Sequence, residues 1–163
     1  MALPVWTAGQ VLTAADVNKW FVPQLVVKGS DQSVTSSTTL VSDTALVLPL
    51  AANTLYNFDL SLLIVANDTA QFKMQLTGPA GATALGGIMG FNTGASFGAS
   101  SRGLANPVTF TGNGATVAPL WWRGTVQSAG TAGNFQFQWA QNTSNGTACT
   151  VKAGSSMTLI AAG

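Results

Sequence analysis

Five aspartates, at positions 16, 31, 43, 59 and 68, are the entire acidic complement of the chain, which contains no glutamate and no histidine. Without histidine there is no imidazole for a Ser-His-Asp triad, a proton shuttle or a His-based metal site. Two aspartates held about 5–10 Å apart can serve a glycosidase as acid and base, but local structure accounts for most of these. Asp16 sits in a helix cap, Asp43 and Asp68 fall at predicted turns, and Asp59 points outward from a predicted strand. No Asp-x-Asp pattern supplies the clustered oxygens of a calcium site. No Gly-x-x-x-x-Gly-Lys-Ser/Thr phosphate loop is present. Cys149 is the one cysteine, so there is no intrachain disulfide framework, and it reads as a small buried strand residue. The expectation is a protein without catalytic residues, metal or cofactor.

The cluster Trp121-Trp122-Arg123 is the other candidate for chemistry. In an alternating strand Trp122 faces the core, while Trp121 and Arg123 share the opposite face, where a guanidinium can stack on an indole. Three readings are open: an anchor at a subunit interface, a platform for sugar, or a covered surface tryptophan beside a core one. Nucleic acid is not among them. Aromatics bind single strands only with a basic groove, and the six basic residues here are spread along a chain of net charge +1. The same balance gives no attraction to an anionic membrane.

The elements that position these residues follow from composition. Charged residues are 7% of the 163 residues, against about 25% in ordinary soluble domains. Polar character comes from 20 Thr, 13 Ser, 10 Asn and 9 Gln, with 18 Gly, a mixture that favours strands and tight turns. A nearly uncharged surface also promotes association. No run reaches the 18 apolar residues of a transmembrane helix. The opening MALPVWTAGQ lacks the basic region and apolar run of a secretory signal. Asn67, Asn142 and Asn145 begin N-x-S/T sequons and are read as loop residues.

Residues 1–24 form an arm. Thr13-Ala14-Ala15-Asp16 resembles a capping box, and Val17, Trp20 and Phe21 fall on one face of a short helix over 14–21 that Pro23 stops. A helix this short must dock on its own domain or on a partner, and Trp6 and Leu12 add apolar weight upstream. From residue 25 strands dominate. Leu25-Val26-Val27 is followed by a polar run to Thr39, then by two short strands around a turn at Ser42-Asp43, with Pro49 as an end or an edge. Thr54–Ala66 alternates strictly, with Tyr56, Phe58, Leu60, Leu62 and Ile64 on one face, but Leu63 and Val65 make its second face apolar too. That face requires a loop or another subunit to cover it. The run 71–76 reads as the hairpin partner of this strand. Residues 78–103, with eight glycines, read as a long Gly/Ala/Ser-rich excursion. Further alternating runs after Val108 bring the total to eight to ten strands, a spacing typical of a sandwich or jelly roll.

The segment WTAGQVLTAADVNKW resembles an "AGxxLTAxxxN" signature of tailed-phage virion proteins, especially those of phages of actinobacteria. The runs VTSSTTLVSDTALVLPLAANTLYNFDLSLLIVA and GNFQFQWAQNTSNGTACTVKAGSSMTLI are similar to the same group, and the Gly-rich middle is not. The resemblance implies a trimeric jelly roll of the complement-type and tumour-necrosis-factor-like kind, used as a capsid decoration, head fibre or minor tail component.

The combined expectation is an all-β jelly-roll sandwich, residues 25–163, behind an anchoring arm, residues 1–24. Trp6, Leu12, Val17, Trp20, Phe21, Leu63, Val65, Trp121 and Arg123 are the expected capsid or subunit contacts. The expected partners are the major capsid protein and two further copies in a homotrimer, with no nucleic acid and no membrane. The expected place is the outer surface of the capsid. A tail-fibre or minor tail protein with a receptor- or carbohydrate-binding domain is the alternative.

Overall fold

Alternation of apolar and polar residues carries through the chain as twelve strands among the residues described by the computed structural model, 7–14, 16–17, 22–92, 96–112, 114 and 116–162, with side chains described outside 91–102. They are β1 (Gln24–Val27), β2 (Gln32–Val34), β3 (Val41–Leu50), β4 (Leu55–Val65), β5 (Phe72–Thr77), β6 (Thr83–Asn92), β7 (Ser96–Arg102), β8 (Val108–Phe110), β9 (Ala118–Gln127), β10 (Gly133–Gln141), β11 (Cys149–Val151) and β12 (Ser156–Ala161). The larger sheet has the order β1-β12-β4-β9-β6-β7, with β11 beside β4 and β2 beside β11. The smaller has the order β3-β10-β5-β8. The chain crosses between the sheets at β2–β3, β3–β4, β4–β5, β5–β6, β7–β8, β8–β9, β9–β10 and β10–β11, and with the β6–β7 hairpin set aside β1-β12-β4-β9 over β3-β10-β5-β8 is a jelly roll, as expected. The pairings within both sheets are antiparallel.

Between the sheets lies one core. Phe58, Leu60, Leu62, Leu120, Trp122 and Leu159 face Leu46, Leu48, Met74, Phe135, Phe137 and Trp139, all buried. Phe58 meets Trp122 edge-on with centroids 6.3 Å apart and Phe135 at 5.3 Å, and Phe72 stacks on Trp139 at 5.6 Å. Cys149 is buried in β11, as its strand context predicts.

Three expectations need correction. The runs at 54–66 and 71–76 are not a hairpin: β4 and β5 lie in opposite sheets. The turn between them redirects the chain across the sandwich. Asn67 Oδ1 accepts the N–H groups of Thr69 and Ala70, and Gln71 sits at φ 56°. The segment 41–50 is one strand, not two. Its pairing jumps from Gln136↔Val47 to Gln138↔Ser42, so the turn chemistry of Asp43 produces a bulge inside β3. Pro49 lies in this strand, which is an edge of the smaller sheet, as proline requires. The Gly-rich excursion is also regular, since β6 pairs with β9 and β7 with β6, a hairpin that widens the larger sheet beyond the jelly roll.

Ahead of β1, Thr13 and Asp16 form the expected reciprocal cap. Thr13 Oγ1 donates to Asp16 Oδ2 at 2.6 Å, and the Asp16 N–H donates to Thr13 Oγ1 at 3.2 Å. Residues 14, 16 and 17 are helical. The remainder of the expected helix, including Trp20 and Phe21, lies outside the described residues, as does Trp6.

Candidate functional site

The two outer faces of the sandwich differ in chemistry. On the smaller sheet the outward positions of β5 and β10 carry Lys73, Gln75, Thr77, Gln136 and Gln138. Gln75 Nε2 donates to Gln138 Oε1 at 2.7 Å, and Gln138 Nε2 to Ser42 Oγ at 3.2 Å, so this face is a hydrogen-bonded amide surface suited to water. On the larger sheet the outward positions carry Leu25, Val27, Leu85, Met89 and Ile160, each between 45% and 64% exposed. They are half of the ten large hydrophobic side chains that stand exposed among the described residues. By register they stand on two flanks of the face, Leu25, Val27 and Ile160 on one side and Leu85 and Met89 beside Trp121 on the other, with Asn57, Ser61, Thr125, Ser156 and Thr158 between them, a mixed face of apolar and uncharged polar side chains.

Register brings four of the expected contact residues onto this face. Trp121 pairs with Ser61 on one side and Met89 on the other, Leu63 pairs with Pro119, Val65 with Thr150, and Arg123 with Asp59. Leu63 is half-buried because the turn before β12 folds over it. Its N–H donates to Ser155 Oγ at 3.0 Å, and its carbonyl accepts the Lys152 N–H at 2.8 Å. A loop therefore supplies part of the cover that the apolar second face of β4 requires. Arg123 takes its cross-strand neighbour Asp59 as partner, Nε to Oδ2 at 2.6 Å. Trp122 occupies the core and Trp121 is half-buried on the outer face, as alternation predicts.

Sequence reasoning did not single out Leu25, Val27, Leu85, Met89 and Ile160 as contacts. The alternation in 24–27 holds the signal for the first two. In β6 the glycines at 86, 87 and 90 interrupt the period-two pattern that flags Leu85 and Met89 as outward. In the arm, Leu12 and Val17 stand exposed beside Val11, and Val22 follows, so the described part of the arm presents apolar side chains to solvent. A pocket of about 240 Å³ opens where the arm enters β1, lined by Val22, Gln24, Ala51, Thr54, Tyr56, Leu159 and Ala161, none of them charged.

The buried and loop ion pairs tie elements of the fold together. Lys28 and Asp43, both fully buried, pair with Nζ 3.0 and 2.9 Å from the two carboxylate oxygens. Asp43 Oδ1 also accepts the N–H groups of Ala45 and Leu46 at 2.9 and 3.0 Å, and Gln32 Oε1 accepts from Lys28 at 3.2 Å. The predicted turn aspartate is thus a buried anchor that ties the end of β1 to the bulge of β3. Nothing in the spacing of Lys28 and Asp43 signals this. Asp31 pairs with Lys152 and accepts the Ala153 N–H, which together hold its carboxyl below the usual range. Burial pushes the Cys149 thiol up, so it stays protonated at neutral pH. Among the described residues no three His, Cys, Asp or Glu side chains gather as a metal site, and no helix is long and apolar enough to cross a membrane. Asp31, Asp43 and Asp59 each lie against a basic side chain rather than against another carboxylate. The arrangement can bury apolar surface on a partner.

No family model matches the chain, and no curated protein matches it in sequence. Among solved structures, the tripod (BppUct-A-L) from the baseplate of bacteriophage Tuc2009 is similar at 10% identity and a TM-score of 0.35, over 98% of this chain and 74% of that one. The structure of infectious bursal disease virus, Gx strain, is similar at 12% identity and a TM-score of 0.26, over 99% of this chain and 47% of that one. The VP2 subviral particle of infectious bursal disease virus is similar at 11% identity and a TM-score of 0.23, over 98% and 43%. This chain spans less than half of each of the two bursal disease virus chains. At these scores none of the likenesses extends to function.

Proposed function

We propose that this chain is a tailed-phage virion structural protein, a capsid decoration protein that sits on the outer shell and stabilises contacts between capsomers. The observation that carries the reading is the pairing, on one sandwich, of two attachment elements of little net charge that expose apolar side chains. One is the arm with exposed Val11, Leu12, Val17 and Val22, and the other is the outer face of the larger sheet. The resemblance of WTAGQVLTAADVNKW to virion proteins supports the same reading. The arm, residues 1–24, grips the major capsid protein, with Trp6, Leu12, Val17, Trp20 and Phe21 as contacts. The outer sheet face, with Leu63, Val65, Trp121 and Arg123, meets other copies in a homotrimer. No catalytic step and no cofactor form part of this function.

Each large apolar side chain that docks contributes about 1.5–3 kcal/mol. Several together overcome the cost of association and give micromolar or tighter attachment. Because Asp16 and Lys19 are the arm's only charges, attachment is nearly independent of salt. The test is co-sedimentation with undecorated capsids of full-length protein and of protein lacking residues 1–21. Full-length protein sediments with capsids at low and high salt, and the truncated protein stays in solution. Equal sedimentation of the two removes the arm as anchor. Full-length protein that ignores capsids and binds host cells replaces this function with that of a tail-fibre or minor tail protein.

A further inference from the structure

Outward positions of β1, β12, β4, β9 and β6 carry one acidic and one basic side chain, Asp59 and Arg123, directly opposite each other in register. Their neighbours on the face are Asn57, Ser61, Trp121, Thr125, Thr158 and Gly87, and beyond these stand Leu25, Val27, Leu85, Met89 and Ile160. The pair is accessible, the arginine side chain 63% exposed and the aspartate 40%. The salt bridge uses the arginine Nε, and a guanidinium has four further N–H donors on its two terminal nitrogens. A face that carries one carboxylate and one guanidinium in an otherwise uncharged surround is its own electrostatic complement.

We propose that Arg123 of one copy reaches Asp59 of the next, so that the outer face of the larger sheet binds a second copy of this chain in a single register. This rests on the self-association described under the proposed function and adds what sets its geometry. Apolar contact alone is non-directional and tolerates sliding. A charge that slides off its partner inside a covered face is left desolvated and unpaired, which disfavours every other register. The intrachain pair does not oppose the exchange, because an exposed ion pair holds its partners only weakly.

Charge variants of this pair test the proposal by sedimentation velocity at micromolar concentration. D59R leaves two positive charges on the face and R123D leaves two negative ones. Both positions are exposed, and thermal melts confirm that the variants remain folded. Wild type sediments as an oligomer, each variant alone associates at least about tenfold more weakly, and a one-to-one mixture of the two recovers association between unlike chains, at least as a pair, since a ring of three always keeps one like-charged contact. Recovery requires that the charges meet between copies, since neither chain in the mixture can rebuild the pair within itself. If wild type assembles and both variants assemble equally well, or if the mixture associates no better than its components, the face remains a self-association surface and the role of the pair is overturned. If wild type is a monomer, self-association through this face falls, and the pair's role falls with it.

Discussion

Gly86 and Gly124 stand opposite each other across β6 and β9, so close that a Cβ on Gly124 would lie 2.2 Å from the Leu85 carbonyl oxygen and 2.5 Å from the Gly86 Cα. A Cβ on Gly86 would meet Phe58 Cζ and Trp122 Nε1, each at 2.9 Å. The two glycines leave the inner face of the larger sheet hollow at the row where Phe58 also pairs with Gly124, and the two rings occupy the space. They join the β6–β7 hairpin, and with it Leu85 and Met89, to the rest of the outer face.

The contact predicts a sharp difference between glycines of the same hairpin and its partner strand. Gly124→Ala forces backbone against backbone and destabilises the fold by about 3 kcal/mol or more. Gly87→Ala, whose Cβ meets nothing within 4 Å, changes stability by less than about 1 kcal/mol. Urea unfolding followed by tryptophan fluorescence measures both, and equal effects would remove the close approach from the account.

Lys28→Met leaves the Asp43 carboxylate buried without its cation. The expected loss is about 3–5 kcal/mol, the range for breaking one side of a buried pair. The same urea titration measures it. A loss below about 1 kcal/mol would mean that the two backbone N–H donors hold Asp43 unaided.

Asp31 predicts an acid-side dependence. Its carboxyl is held below the usual range by Lys152 and the Ala153 N–H, so the folded state binds its proton more weakly than the unfolded state. Its contribution is therefore fully present above the ordinary carboxylate range and is lost as pH falls through the folded value. The difference in melting temperature between wild type and Asp31→Asn is expected to be level near pH 7 and to shrink below about pH 4. A gap that does not change with pH would contradict the assignment.

Cys149 is predicted to resist a thiol reagent in the native protein at pH 7 and to react at once in denaturant, because burial keeps the thiol protonated and out of reach. Immediate native labelling would place it at the surface.

Much of the sandwich was legible in the sequence where strands bury one face and expose the other. Tyr56 to Ile64, Leu120 to Val126 and Phe135 to Trp139 announce themselves by period two, and their inward residues are buried as expected, with Gly124 leaving room for the rings. The capping pair Thr13–Asp16 was equally plain, because its spacing is its mechanism. Pairing was less legible. Nothing in the residue types at 67–71 distinguishes a hairpin turn from one that crosses between sheets; the structure shows the crossing, with Gln71 left-handed and Asn67 Oδ1 accepting the Thr69 N–H. Glycine hid the β6–β7 hairpin, because residues that favour loops are here the ones that admit two large rings. Of the site, Leu63, Val65, Trp121 and Arg123 were found through alternation. The exposed residues of β6 and β12 became visible only when register placed those strands beside β9 and β4, while those of β1 lie in its own alternation and join the face through β12.

The proposed place on the capsid has a direct test. Imaging of purified virions, compared with virions from which this protein has been deleted, locates the difference density. A capsid decoration protein gives sandwich-sized density on the outer surface of the capsid, in contact with the shell through a narrow arm. Difference density confined to the tail, with an unchanged shell, would contradict that place.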